Sequence, residues 1–367
     1  MPVSSPPFLE ILPNRVRRNY SGGALLEQWT GEGSEGDGER PEDWIGSTVE
    51  AVNPGLPPVE NEGLTCVRVP GGETARLRDL LADAPDYYLG ADHVAANGLE
   101  LGFLAKLLDS AIRLHVQAHP TSAFSQARLN SRYGKLETYV VLAVREGSEP
   151  YLRLGFQHAP SREQWRRIIE EQDIQAMDAC FESIPLKVGE VWRVPGGLPH
   201  AIGEGALVLE VMEPSDWVVR CEFEREGIVV PPEGRFMRRG LDFCLDIFDY
   251  ASRSVEEVKQ LCRLSPQVLA QTDALTDEQL VGPAHTDCFT VRRLSVRAAA
   301  ALPATGLMAL CLVAKGTGTL RAGGCELALK PGSRFFLPAA GPEARVIPAD
   351  SEPMELLLCL PILPSKP

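Results

Sequence analysis

A chain of 367 residues with 44% apolar and 23% charged residues can fill two hydrophobic cores and has an ordinary globular composition. Its net charge of −14 argues against nucleic acid or an anionic membrane surface as partner. No apolar run reaches the ~18 residues of a membrane span, the opening MPVSSPPF lacks a signal peptide's apolar segment, and nine cysteines without CxxC spacing read as reduced thiols, so a cytoplasmic protein is expected.

Residues 8–29 carry a strand-and-turn pattern around Ser21, Gly22 and Gly23. The acidic, glycine-rich stretch 31–43 reads as a solvated loop leading to a strand at Trp44. A short helix is expected over 77–89 and a buried strand over 98–108. In RLHVQAHP, Leu114, Val116 and Ala118 alternate with His115, Gln117 and His119, the period of a strand with an apolar back and a polar front, which Pro120 ends. A short helix over 121–133 brings back Glu137, which opens the strand-like run ETYVVLAV. Ser161 and Gln164 form a capping box for a helix of about ten residues, and a second short helix comes next, over 174–181.

The segment GEVWRVPGGLPH has the spacing Gly189-x5-Pro195-x-Gly197-x2-His200, the second half of the cupin barrel signature. Glycine permits a tight hairpin, a strand carries the intervening residues, and Pro-Gly-Gly turns the chain so that His200 points inward. Gln117, His119, Glu137 and His200 then make a set of nitrogen and oxygen ligands without a thiolate, suited to Zn²⁺ or another first-row divalent ion. Glu210 alternates with Leu209 and Val211, which turns it into the barrel, where a carboxylate needs a partner such as Arg220 or a catalytic duty.

Residues 229–234, VVPPEG, read as a linker. Beyond it Ser254 and Glu257 cap a helix over 255–262, and strands dominate the remainder. Gly332-x5-Pro338 repeats Gly189-x5-Pro195, but no histidine comes after Pro338, so this second barrel is expected to be structural and free of metal.

In QAHP (117–120), GKLE (134–137), VPGGLPHAIGEG (194–205) and EVMEPSDWVVR (210–220), together with PEDWIGS (41–47) and NYSGGALL (19–26), the chain resembles the type I mannose-6-phosphate isomerases. The resemblance runs in order over roughly the first 220 residues. It implies a bicupin: mainly β, two jelly-roll barrels with short helical insertions, a catalytic domain over 1–228 with its insertion at about 158–184, and a degenerate domain over 229–367. It implies one Zn²⁺ or similar divalent ion per chain and interconversion of mannose 6-phosphate and fructose 6-phosphate through an enediol. Lys135 and Glu210 become proton-transfer candidates, and Arg220 a stabiliser of oxyanion charge. Lys106, Lys135 and Arg220 become the cations for a sugar phosphate. The family's phosphate-binding serine is His115 here, so His115 either assists as a cation or marks a change to an unphosphorylated sugar. A non-catalytic sugar-binding cupin is the alternative from another class. An Fe²⁺ dioxygenase is disfavoured because glutamine stands where it would want the first histidine of His-x-His.

Overall fold

The computed structural model describes residues 5–363; the first four residues of MPVSSPPF and the last four of the chain lie outside the described residues. The chain is mostly β with a few helices, and its two large sheets and two smaller ones form two β-sandwiches set side by side. No helix among the described residues is long and apolar enough to cross a membrane.

The first sandwich contains the seven-stranded sheet ordered Arg263–Leu264, Val191–Val194, Glu137–Val144, Ala206–Met212, Leu104–Asp109, Glu42–Ile45 and Arg15–Val16. Alternation along these strands gives the sheet two different faces. Ala105, Leu107, Val140, Leu209 and Val211 pack outward against Leu310, Phe336 and Leu357 of the second sandwich. Leu108, Val141 and Val208 turn inward onto Leu152, Leu154 and Ile202 of a five-stranded sheet. That second sheet is ordered Ile184–Pro185, Tyr151–Leu154, His200–Ile202, Gln117–Ala118 and Val219–Arg220. Its outer face, through Val116, Ala118, Ala201 and Val219, is covered by Trp165, Ile169 and Met177 of the helices Arg162–Glu171 and Ile174–Asp178. Both halves of the capping box at Ser161 and Gln164 are formed, as they are at Ser254 and Glu257, which start the helix Val255–Cys262.

The second sandwich packs a nine-stranded sheet on a four-stranded one. Three strands of the large sheet come from the beginning of the chain: Leu9–Ile11 pairs with Arg334–Leu337 (Leu9 opposite Phe336), and Cys66–Arg68 and Thr74–Arg76 lie beyond it. A buried ion pair also joins the sandwiches, Arg334 Nη2 lying 2.9 Å from Asp43 Oδ2 with both side chains 1% exposed.

Three expectations change. The second half of 8–29 is a helix, Ala24–Thr30, because the Asp109 carboxylate accepts from the backbone N–H groups of Gly23, Leu25 and Leu26 (2.7, 2.9 and 3.4 Å), a tertiary cap that the local sequence does not reveal. The strand expected through His119 is a ladder only at Gln117–Ala118. Just before it, backbone bonds from Leu114 N–H to Ile202 O and from Cys221 N–H to Val116 O alternate with side-chain partners, Glu222 accepting from the Val116 N–H and Arg113 donating to the Leu114 carbonyl. The expected linker, 229–234, starts at the last residue of a hairpin, Glu224–Arg225 with Ile228–Val229, and continues into a 3₁₀ turn at Pro232–Gly234 whose Gly234 is buried.

Candidate active site

Two glycines let the metal-ligand residues meet. A Cβ on Gly134 would lie 2.6 Å from the Pro120 carbonyl oxygen, and one on Gly196 would lie at the same distance from the same oxygen. Only residues without a side chain let the GKLE and PGG turns close this tightly on the chain just after His119. The backbone then locks the arrangement: Lys135 N–H donates to Pro120 O at 3.1 Å, and Gly197 N–H donates to His119 O at 2.7 Å.

The result is a buried trio at one end of the first sandwich. His119 Nε2 lies 3.0 Å from Glu137 Oε1 and His200 Nε2 lies 3.4 Å from Glu137 Oε2. Each ring is held from behind, His119 Nδ1–H donating to Trp217 O at 2.7 Å and His200 Nδ1–H to Leu198 O at 3.0 Å. A carbonyl only accepts, so Nδ1 carries the proton and each Nε2 turns a lone pair to the carboxylate. His119 Nε2 is buried without a hydrogen-bond partner among the described residues. Burial and the Lys135 charge pull its imidazole down to about 3, which keeps it a neutral donor. Against the cost of burial, the Lys135 ammonium beside it holds Glu137 well below the usual carboxylate range. The three donor atoms lie within 4.8 Å of one another. Two anchored imidazoles and a carboxylate converging on one point fit a divalent cation. The Gln117 amide, 3.5 Å from His200 Nε2, stands where a fourth ligand is expected.

From this trio a row of charged side chains crosses the inner face of the seven-stranded sheet. Lys135 Nζ lies 3.1 Å from Glu137 Oε1. Glu210 faces into the cavity as its alternation requires, but its partner is Lys106, at 3.2 Å, rather than Arg220. Lys106 also reaches Glu42 at 3.3 Å. Glu42 accepts in addition from Tyr20 Oη at 2.6 Å, Trp44 Nε1 at 2.7 Å and Arg18 Nε at 2.8 Å. Glu210 Oε1 is buried and without a hydrogen-bond partner among the described residues, and burial together with the Glu137 charge pushes this carboxyl up to about 8. These residues line a cavity of about 330 Å³, whose basic members Arg18, Lys106, Lys135, Arg220 and Arg238 are matched by Glu42, Glu137, Glu210, Asp216 and Glu233.

Every residue singled out in the sequence except His119 and His200, which stand behind Glu137, lines this cavity, but two are placed differently from expectation. His115 is no cation: burial pulls its imidazole down to about 4, and its Nε2–H donates to Ile228 O at 3.2 Å, pinning the hairpin Glu224–Val229. Lys106 is not a free cation either, since it is shared by two carboxylates. Arg220 donates from Nη1 to Gly234 O at 2.8 Å. Sequence reasoning missed Glu42, Tyr20, Tyr139 and Arg18. The alternation of Glu42 and Trp44 in a fully buried strand was a usable signal for Glu42. Tyr139, two residues along the same strand face from Glu137, donates its hydroxyl to Glu137 Oε2 at 2.5 Å.

Residues 282–346 match the family described as mannose-6-phosphate isomerase, cupin domain. The mannose-6-phosphate isomerase of Streptococcus mutans is 28% identical over 236 residues, 64% of this chain and 67% of that protein. A crystal structure of the mannose 6-phosphate isomerase from Bacillus subtilis superimposes with a TM-score of 0.69 at 20% identity, covering 96% of this chain and 99% of that one. A mannose 6-phosphate isomerase bound with zinc and yttrium superimposes with a TM-score of 0.67 at 17% identity, over 97% and 100% of the two chains. The fold is therefore that of these cupins.

Proposed function

We propose that this chain, a cupin related to the type I phosphomannose isomerases, is a metal-dependent enzyme that interconverts mannose 6-phosphate and fructose 6-phosphate in the cytoplasm. The observation that carries the reading is the convergence of His119, Glu137 and His200 beside a carboxyl oxygen, Glu210 Oε1, that has no hydrogen-bond partner among the described residues. A divalent ion such as Zn²⁺ held by that trio, with Gln117 as fourth ligand, would supply Lewis-acid polarisation of the sugar's C1 and C2 oxygens.

The chain's own residues account for the rest. Aldose–ketose conversion moves one proton from C2 to C1, and one from a hydroxyl to the former carbonyl oxygen, through an enediol. Two groups in the cavity can carry the carbon-bound proton, Glu210 at Oε1 and Lys135 at Nζ. Lys106 holds the other Glu210 oxygen and so fixes the direction in which Oε1 points. The apolar plug of Leu108, Val141, Val208 and Ile202 closes the inner end of the sandwich and limits water around the enediol. In domain terms, the metal ligands come from residues 1–228, Glu233 and Arg238 add to the cavity wall from just beyond them, and the second sandwich buries the outer face of the seven-stranded sheet.

The test is turnover of the purified, Zn²⁺-loaded protein on mannose 6-phosphate and on mannose. Conversion of the phosphate to fructose 6-phosphate, lost on chelation and restored by metal, is the expected result. A metal-loaded protein inert on both sugars sinks the proposal.

A further inference from the structure

Lys106 and Lys135 are both held by carboxylates and His115 is tied through Nε2–H to Ile228 O, so the side chains expected to receive a phosphate are already engaged. Two guanidiniums in the same cavity are differently placed. Arg220 has no carboxylate within 4.0 Å among the described residues, and only its Nη1 has a hydrogen-bond partner there, the Gly234 carbonyl. Arg18 lies 4.7 Å over the Trp44 ring, with Nε on Glu42 and Nη1 on Asn53 Oδ1 at 2.9 Å, which leaves Nη2 without a partner among the described residues.

Their position along the cavity is as telling as their free donors. Glu137 and Glu42 lie on strands separated by two others, Ala206–Met212 and Leu104–Asp109, so the metal-ligand end and the Glu42 end are roughly 14 Å apart across the sheet. Arg18 comes just after the edge strand Arg15–Val16, beyond Glu42. The Arg220 side chain reaches that same end: its Nη1 is on Gly234 O, a Cβ on Gly234 would lie 3.2 Å from Pro54 Cβ, and the adjoining Asn53 holds Arg18. Burial and repulsion from Arg18 pull its guanidinium down to about 10, still a cation at pH 7. A hexose 6-phosphate has the same polarity, its carbonyl carbons at one end of a six-carbon chain and its phosphate at the other. With C1 and C2 at His119 and His200, the phosphate falls between Arg18 and Arg220.

We propose that Arg18 and Arg220 form the clamp for the phosphate of a phosphorylated sugar. Planar forked donors match a phosphate's oxygens better than an ammonium does, and each of the two keeps donors that Glu42, Asn53 and Gly234 do not occupy. Five basic side chains and five carboxyl groups line the cavity, so the carboxylates at most balance the cations and a bound divalent metal leaves the site positive, the complement of a phosphomonoester dianion. The proposal rests on the sugar-phosphate reading above.

The experiment separates the two by measuring binding without turnover. A hexitol 6-phosphate has no carbonyl to isomerise, and its affinity for the metal-loaded protein can be compared with that of the unphosphorylated hexitol. Arg18→Gln is expected to weaken the hexitol phosphate roughly tenfold or more, since losing one charge-assisted contact is worth at least that, and to leave the affinity for the plain hexitol unchanged. Arg18→Lys retains an ion pair for Glu42 and guards against misfolding of the Gln variant. It is expected to fall between wild type and Arg18→Gln, because an ammonium lacks the fork. Unchanged hexitol phosphate affinity in both variants, or equal weakening of phosphorylated and unphosphorylated ligands, overturns the clamp. Tight phosphate binding through Arg18 in a protein that does not turn over mannose 6-phosphate supports the clamp and sinks the isomerase reading alone.

Discussion

In the strand Ala206–Met212 the residues turned into the sandwich are Ala206, Val208 and Glu210, whereas in Met354–Pro361 they are Met354, Leu356, Leu358 and Leu360. The two sandwiches share the Gly-x5-Pro hairpin, at Gly189 and at Gly332, both with positive φ. They differ on the far side of the proline. After Pro195 the double glycine closes on Pro120 and delivers His200 to a carboxylate, and charge accumulates along the inner face from Glu137 to Glu42. After Pro338 no histidine arrives, and the interior closes on Leu294, Leu320, Leu329 and Val346. The comparison shows that the hairpin sets the shape of the sandwich, and that side chains at alternate strand positions decide whether its interior is a site or a core.

Exchanging the two interiors is the sharpest way to break this comparison. Leu320 is fully buried in the second sandwich, and Leu320→Glu places a carboxylate where no cation waits. The cost is several kcal/mol, and thermal unfolding should show a fall in Tm of roughly 10 °C or more or no folded protein at all. A variant with wild-type Tm would refute the claim that the second interior is purely apolar packing.

In the first sandwich the corresponding losses are of function. His119→Ala removes one of two anchored imidazoles, and metal affinity should fall more than roughly 100-fold, read by elemental analysis after dialysis. Full metal content in that variant would remove His119 from the ligand set. Glu210→Gln should cut kcat on mannose 6-phosphate by roughly 10²–10⁴ while KM changes little, the size expected for a proton-transfer group. If Lys135→Met gives the kcat loss and Glu210→Gln does not, the lysine carries the proton. Tyr139→Phe removes the hydroxyl that holds Glu137 Oε2, and a loss of roughly tenfold in metal affinity is expected from competition with a chelator.

The smallest effect is on stability with pH. The Glu210 carboxyl is raised in the folded protein from its ordinary 4.5 to about 8, so the folded state holds this proton more tightly than the unfolded state does. Its contribution in the metal-free protein is therefore present below about 4.5 and lost as pH rises through about 8. Denaturant unfolding of wild type and Glu210→Gln should diverge in that window, with the Gln variant gaining relative to wild type as pH increases. Parallel curves would place Glu210 in an ordinary carboxylate environment.

How far the site could be read ahead depended on the distance over which each contact acts. His119, Glu137 and His200 were legible because a proline stop, a short return and a Pro-Gly-Gly turn fix each of them locally. The capping boxes at Ser161 and Ser254 were legible for the same reason. Glu42 and Arg18 were not, because what makes them matter lies elsewhere: Lys106 reaches Glu42 across 64 residues of sequence, and a basic pair before Asn19 reads as surface until Trp44 and Glu42 are seen beneath it. The helix Ala24–Thr30 was hidden because its cap is Asp109, about 85 residues later. The partner of Glu210 was equally hidden, since register, which sets it opposite Lys106, has no local signature.

The strand Leu9–Ile11 is made about 330 residues before Phe336, its partner in the large sheet. At roughly 5–20 residues per second, a ribosome takes about 15–65 s to supply that partner. Throughout this interval Leu9–Ile11 has Cys66–Arg68 on one side, itself joined to Thr74–Arg76, while its other edge waits for Arg334–Leu337. The nascent chain therefore carries an open β-edge over that interval, and the large sheet closes only once Phe336 has been made. Demand for a chaperone that shields extended apolar segments should be set by this one strand, and a circular permutant that begins after it and carries it at the C-terminus should need less such help.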